Sequence, residues 1–429
     1  MKLYSTNDKD NIVDLRTAVL KSLPKDKGLY MPIEIPTIKN QFFQKIQDLS
    51  FVEVSYHVAR KLIDHDISDS DLFDIIQKSI TFPAPLHELS PSIVSLELWH
   101  GPSLAFKDFG ARFMAKLMSY YKKEDDKETT ILVATSGDTG GAVGAGFLNT
   151  PGINVIILFP KGKVSALQEK QLTTLGNNIS AIEIEGSFDD CQALVKGAFV
   201  DQDLNSAYNL SSANSINIAR LIPQSFYYFE AYKQIKHLNK DIVISVPSGN
   251  FGNLTAGLIG KKMGLPIKRF IAATNVNDIV PAYLKSGIYE AKESIATISN
   301  AMDVGNPSNF VRLQHLYSST WNNIIKDLSG FRANDAETKS YMKKAFDEFN
   351  YVCDPHGAIG FGSLYNKLHD NELGVFLETA HPAKFIDVVE ETLQTSCDIP
   401  KRLLDIKEKK GIKVTLSKNF QHFKDYMLS

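Results

Sequence analysis

Between Thr129 and Ala273 short, wholly apolar runs alternate with stretches whose apolar positions recur at helical spacing. Thr129 to Ala134 reads as a buried strand, followed by a turn at Ser136-Gly137-Asp138-Thr139 and a helix of small residues to about Phe147. Ile153 to Phe159 and Ile179 to Ile184 read as further strands, with helices at Ser165 to Leu175 and Phe188 to Val200. A second set opens with a strand at Asp241 to Val246. It then passes a glycine-rich turn, a helix from Leu254 and a strand near Arg269 to Ala273. Strands apolar along their whole length, separated by helices, predict parallel sheets covered on both faces. Residues 1–90 read instead as helix and loop, with amphipathic pieces such as Leu72-Phe73-Asp74-Ile75-Ile76-Gln77 and a proline-rich exit, Phe82-Pro83-Ala84-Pro85. The expected class is α/β: two parallel-sheet lobes behind a mostly helical N-terminal domain. The divisions fall at residues 1–90, 91–235 and 236–429.

A chain of 429 residues is long enough for two or three such units. A formal net charge of -2 gives no reason to expect nucleic acid or an anionic membrane as a partner. The three cysteines, Cys191, Cys353 and Cys397, are scattered and form no metal-ligand spacing, so no metal is expected. They read as free thiols of a reducing compartment. The polar, acid-containing start MKLYSTNDKDNIVDLR is neither a signal nor a transit peptide, and no run is long and apolar enough to span a membrane. The expectation is a cytoplasmic protein, monomer or homodimer, acting on a small molecule.

Candidate chemistry concentrates first at Gly101-Pro102-Ser103-Leu104-Ala105-Phe106-Lys107-Asp108-Phe109-Gly110. Ser103 reads as the N-cap of a helix whose apolar stripe is Phe106, Phe109, Phe113 and Leu117. Lys107 lies on no charged face of that helix; its neighbours one, two and three turns on are Gly110, Ala111, Met114 and Met118. Apolar surroundings and the positive end of the helix dipole both favour the neutral amine, the form that builds a Schiff base.

Ser248-Gly249-Asn250-Phe251-Gly252-Asn253 lies between a strand and a helix, where backbone N–H groups can converge on an anion or where the glycines serve only a turn without a ligand. It matches neither the Walker pattern nor the dinucleotide fingerprint. Thr135-Ser136-Gly137-Asp138-Thr139-Gly140-Gly141 is a second turn of this kind. Its helix carries Gly140, Gly141, Gly144 and Gly146, for close approach of a ligand or of a neighbouring helix. In Asn214-Ser215-Ile216-Asn217-Ile218-Ala219-Arg220, Asn214 or Ser215 is placed to cap a helix. That helix presents Arg220 among apolar residues, where a guanidinium calls for an anion, from protein or ligand. A Schiff-base lysine with a phosphate cradle suggests pyridoxal phosphate, and the additional anion groups a substrate with a phosphate of its own.

These segments, together with Tyr4-Ser5-Thr6, Gly28-Leu29-Tyr30-Met31-Pro32, Ala273-Thr274-Asn275-Val276-Asn277-Asp278 and Glu378-Thr379-Ala380-His381-Pro382-Ala383-Lys384-Phe385, closely resemble the threonine synthase family. That family shares the fold of the tryptophan synthase β subunit. The resemblance runs along nearly the whole chain. It implies conversion of O-phospho-L-homoserine and water to L-threonine and phosphate, with pyridoxal phosphate held on Lys107. It further implies that Gly249, Asn250, Phe251, Gly252 and Asn253 hold the cofactor phosphate and that Thr379 faces the pyridine nitrogen. Asp138 occupies the place where related enzymes carry an asparagine near the cofactor's 3-hydroxyl. The resemblance also implies that Thr135, Ser136, Thr139, Asn214, Ser215 and Arg220 surround the substrate phosphate; Lys161 and Lys163 read as further anion contacts or, in preference, a solvated basic loop. The alternatives are a serine/threonine dehydratase-like lyase of the same fold and a catalytically silent homologue.

Overall fold

The computed structural model describes residues 1–122 and 127–429. Two sheets dominate it. The larger has the strand order Leu328–Arg332, Arg269–Thr274, Asp241–Pro247, Glu372–Glu378, Ile93–Glu97, Leu86–Ser90, parallel except for the last pair. The smaller has the order Val414–Ser417, Ile179–Glu185, Ile153–Pro160, Thr129–Ala134, Asn209–Ser212, parallel throughout. The central strands are buried from end to end, as their apolar runs predict: every residue of Thr129–Ala134 and of Glu372–Glu378 is buried. The helix Phe188–Val200 has the predicted bounds, and a Ser187–Asp190 capping box sets its start. Ser165 caps Ala166–Thr173 in the same way, through Gln168.

The N-terminal region is mostly helical. Its longest helix, Phe51–Ile63, begins at a Ser50–Glu53 capping box and packs against Phe226–Ile235. The sequence pattern misses a small antiparallel sheet there, formed by Lys2–Ser5, Ile12–Asp14 and Tyr30–Pro32. Strands of three or four residues are too short to establish an alternation. Three further strands lie across the expected divisions. Ile93–Glu97, from the 91–235 portion, pairs in the larger sheet. Leu86–Ser90 precedes residue 91 yet closes one edge of the larger sheet, and Val414–Ser417, from the C-terminal segment, extends the smaller one.

The glycines of the helix Asp138–Phe147 serve close packing. A Cβ on Gly140 would lie 2.7 Å from Leu172 Cδ2, one on Gly144 2.5 Å from Leu175 Cδ1, and one on Gly146 3.0 Å from the Ala111 backbone. The last contact seats this helix directly on the helix Lys107–Lys122. Among the described residues no helix is long and apolar enough to cross a membrane.

Candidate active site

In an open α/β sheet the loops leaving the carboxyl ends of parallel strands surround the ligand crevice. Here such loops come from both sheets: residues 248–253 follow Asp241–Pro247, Thr379 follows Glu372–Glu378, 135–139 follow Thr129–Ala134, and 213–215 follow Asn209–Ser212. They converge on one cavity with about 980 Å³ of non-atom space, its open mouth included. Lys107, Thr135, Ser136, Asp138, Thr139, Asn214, Ser215, Arg220, Gly249, Asn250, Phe251, Gly252, Asn253 and Thr379 all line it.

Lys107 is set beside Thr379 by backbone pairing. Phe106 N–H donates to the Thr379 carbonyl (2.8 Å), His381 N–H to the Leu104 carbonyl (3.0 Å), and Ala105 pairs with Ala380 between them. Ser103 does not cap the helix, which starts at Lys107. Its N–H donates to Asp108 Oδ2 (2.8 Å), and its buried hydroxyl has no hydrogen-bond partner among the described residues. Burial pushes the Asp108 carboxyl up to about 6 against this hydrogen bond. The Lys107 side chain is 16% exposed, with Nζ 3.7 Å from Asp138 Oδ2. Burial drives its pKa down, Asp138 opposes, and the cations Lys384 and Arg220 add to the fall. Asp138 has the opposite balance. Burial opposes its charge, but Lys384 Nζ at 2.6 Å and Lys107, with a hydrogen bond from Gln168 Nε2 (3.0 Å), hold its carboxyl well below the usual range.

The turn after Pro247 leaves hydrogen-bond donors open to the cavity. Phe251 adopts a left-handed conformation (φ 61°) at the N-cap position of the helix Gly252–Lys262 and makes no side-chain cap, so the first-turn N–H groups stay available. Tyr227 and Tyr228 each donate a hydroxyl to Asn253 Oδ1 at 2.6 Å. That fixes the amide orientation and leaves its buried Nδ2 with no hydrogen-bond partner among the described residues. Gly249 has no room for a side chain, because a Cβ would lie 2.5 Å from the Ala301 carbonyl oxygen. Ala301 is itself pinned by its N–H to His356 Nε2 (3.2 Å), while His356 Nδ1 meets Asp354 Oδ1 at 2.5 Å.

Opposite this turn, Arg220 is 2% exposed. One of its terminal nitrogens donates to the Ala213 carbonyl, its buried Nε has no partner, and no described carboxylate pairs with it. Burial lowers its pKa to about 10, which leaves the guanidinium charged at neutral pH. Gly110 makes room for it, since a Cβ there would sit 2.7 Å from Nε. The cap of its short helix, Ile218–Leu221, is Asn217 rather than Asn214 or Ser215, through Asn217 Oδ1 and Ala219 N–H (2.9 Å). Asn214 Nδ2 instead donates to the Ala134 carbonyl (3.1 Å), tying the two halves of the smaller-sheet rim. Thr135 Oγ1 accepts from Gly137 and Gly140 N–H (2.9 and 2.8 Å), so it shapes its own turn. Lys161 and Lys163 are exposed, and Lys161 pairs with Glu185 at 2.8 Å; neither lines the cavity.

The sequence reading overlooks the residues that join these pieces. Asn309 Nδ2 donates to Ser215 Oγ (3.1 Å), and its N–H donates to the Asn250 carbonyl (3.2 Å). Fully buried Arg312 donates to the carbonyls of Ser215 (3.2 Å), Ile216 (2.6 Å) and Tyr30 (3.1 Å). Arg312 carries the same signal as Arg220, a lone arginine in an apolar run, Phe310-Val311-Arg312-Leu313. Nothing local marks Asn309.

Family profiles account for almost all of the chain. "Pyridoxal-phosphate dependent enzyme" matches residues 81–375, "Threonine synthase N terminus" residues 2–80 and "Threonine synthase, C-terminal" residues 358–427. The chain is 46% identical to the threonine synthase of Haemophilus influenzae over 430 aligned residues, covering 100% of both proteins. It superimposes on the crystal structure of Escherichia coli threonine synthase with a TM-score of 0.94 at 43% identity, covering 100% of this chain and 99% of that one. The pyridoxal-phosphate-bound threonine synthase of Brucella melitensis gives 0.93 at 34% identity, covering 100% and 98%. With its cavity built at the meeting of two parallel sheets and its whole length matched, the chain belongs to the threonine synthase family of pyridoxal-phosphate-dependent enzymes.

Proposed function

We propose that the protein catalyses the conversion of O-phospho-L-homoserine and water to L-threonine and inorganic phosphate. One observation carries this reading: a mostly buried, amine-favouring lysine shares a cavity with two separate anion-receptive groups, the 249–253 turn and Arg220. A cofactor with one phosphate needs one of them. The other answers a phosphate on the substrate, which a dehydratase acting on serine or threonine has no use for. Both groups are whole, against a silent homologue. The free cysteines Cys191, Cys353 and Cys397 support a reducing, cytoplasmic setting.

The residues present fit pyridoxal phosphate. The open helix N-terminus and the unpartnered Asn253 amide suit its phosphate, and Lys107 suits its aldehyde. The Thr379 hydroxyl suits a ring nitrogen without forcing a proton onto it. When bound, the cofactor supplies the electron sink that acidifies protons near the substrate's amino-bearing carbon.

Lys107 is the only lysine among the described residues lining the cavity, so proton movement at substrate Cα, and then at Cβ, falls to its Nζ. Arg220, with Ser215, Asn214, Ser136, Thr139 and the Thr135 turn, holds the phosphate on Cγ and receives its negative charge as it departs. A proton then reaches Cγ, water adds its oxygen at Cβ and passes a proton to the departed phosphate, and a proton returns to Cα. The net change adds one water and releases one phosphate.

Purified protein given O-phosphohomoserine is expected to release threonine and phosphate in equal amounts. A cofactor absorption band, with serine deaminated and no phosphate formed, would favour the dehydratase reading instead. A second expectation concerns Gly249→Ala. Forcing a Cβ against the Ala301 carbonyl costs about 1–3 kcal/mol, so cofactor affinity should fall by roughly tenfold or more in a spectral titration. Unchanged affinity would mean that the 249–253 turn does not hold the cofactor.

A further inference from the structure

Asp138 lies between two lysines, and only one of them lines the cavity. Lys384 Nζ is 2.6 Å from Asp138 Oδ1, while Lys107 Nζ is 3.7 Å from Oδ2. The Lys384 side chain is 0% exposed, and its Nζ also donates to the Ser103 carbonyl (2.9 Å), so it is fixed between two acceptors. The mechanism above gives Lys384 no task; it does not itself line the described cavity and reaches that lining through Asp138.

We propose that Lys384 is a positioning residue that acts through Asp138: its buried ammonium takes up the carboxylate's charge, so that Lys107 is left as the free amine of the pair. A buried carboxylate with one nearby lysine would form a tight ion pair and keep that lysine protonated. Here the closer cation is the one outside the cavity, and attraction falls with distance. Gln168 Nε2 shares Oδ1 with Lys384 and leaves Oδ2 facing Lys107. The charged groups acting on Lys107 are accounted for from each element around it: Asp138, Lys384 and Arg220. Around Lys384 lie Asp138, Asp108 and His381, the last lowered to about 4 by burial and hence neutral near pH 7. Removing the Lys384 charge therefore leaves Asp138 with Lys107 as its single lysine partner and favours the ammonium there.

This inference rests on Lys107 being the reactive amine, and the test separates the two ideas. Full-length protein freed of cofactor is acetylated with trace acetic anhydride across a pH series, and Lys107 labelling is read by peptide mass spectrometry. In the unaltered protein the labelling midpoint should fall below the ordinary lysine value of about 10.4. Lys384→Met should move it up by about one pH unit and slow cofactor capture near neutral pH, while Lys384→Arg stays near the parent. A merely structural pin would lower the melting temperature of Lys384→Met without moving the midpoint, and that result overturns the proposal. Should Lys384→Met fail to fold, Asp138→Asn decides. Its midpoint should move down, because Lys384 and Arg220 then face Lys107 uncompensated; an unmoved midpoint overturns the proposal. An ordinary midpoint in the parent protein would overturn the Lys107 reading itself, and this proposal with it.

Discussion

Lys107→Ala will abolish threonine formation while leaving the chain folded. Phosphate release from O-phosphohomoserine should drop by roughly 10³-fold or more, the scale of losing a positioned acid–base group together with a covalent anchor. The visible band of the purified protein should vanish as well. Folding should survive, because Asp138 keeps its closer partner, Lys384, and because truncation removes a buried amine that burial already disfavours as a cation. Phosphate release should be followed colorimetrically on the purified variant, with circular dichroism as the check on folding. A variant that keeps substantial phosphate release would show that another group moves the substrate protons.

The second large effect belongs to Arg220→Ala. A buried charge-assisted hydrogen bond is worth about 1.5–3 kcal/mol, so KM for O-phosphohomoserine should rise by roughly ten- to a hundredfold. The cofactor band should persist, because the groups suited to the cofactor phosphate lie on the separate 249–253 turn. Loss of the band with an unchanged KM would reverse the assignment of the two anion groups. Arg220→Lys should recover little of the loss. A single ammonium cannot reproduce the planar fork, and the space beside Gly110 is shaped to the guanidinium.

Much of this was legible in the sequence because several signals agreed. Apolar runs such as Thr129–Ala134 and Asp241–Pro247 fall within one residue of their predicted ends, since burial on both faces demands that pattern. The glycine-rich turns stood out because their backbones must bend where a helix begins. What escaped depends on distance along the chain. Ser103 looks like a cap only until Ala105 is seen to pair with Ala380, which shifts the helix start to Lys107. Asn217 rather than Asn214 caps the Arg220 helix because Asn214 is drawn to the Ala134 carbonyl on a neighbouring strand. Arg312 and Lys384 act on residues far removed in sequence, so a local pattern shows a buried charge but not what it holds.

The pairing of Ala105 with Ala380 also bears on how the protein is born. During synthesis Lys107 leaves the ribosome long before the strand Glu372–Glu378, whose following residues pair with its neighbours and fix it beside Thr379. Contacts this far apart in sequence form late and slowly. The growing chain therefore exposes Lys107 without its wall, and no complete cofactor site exists until the last portion of the polypeptide has docked. A ribosome stalled before Glu372 should carry a chain that does not acquire the cofactor, which absorbance of the stalled complex would check.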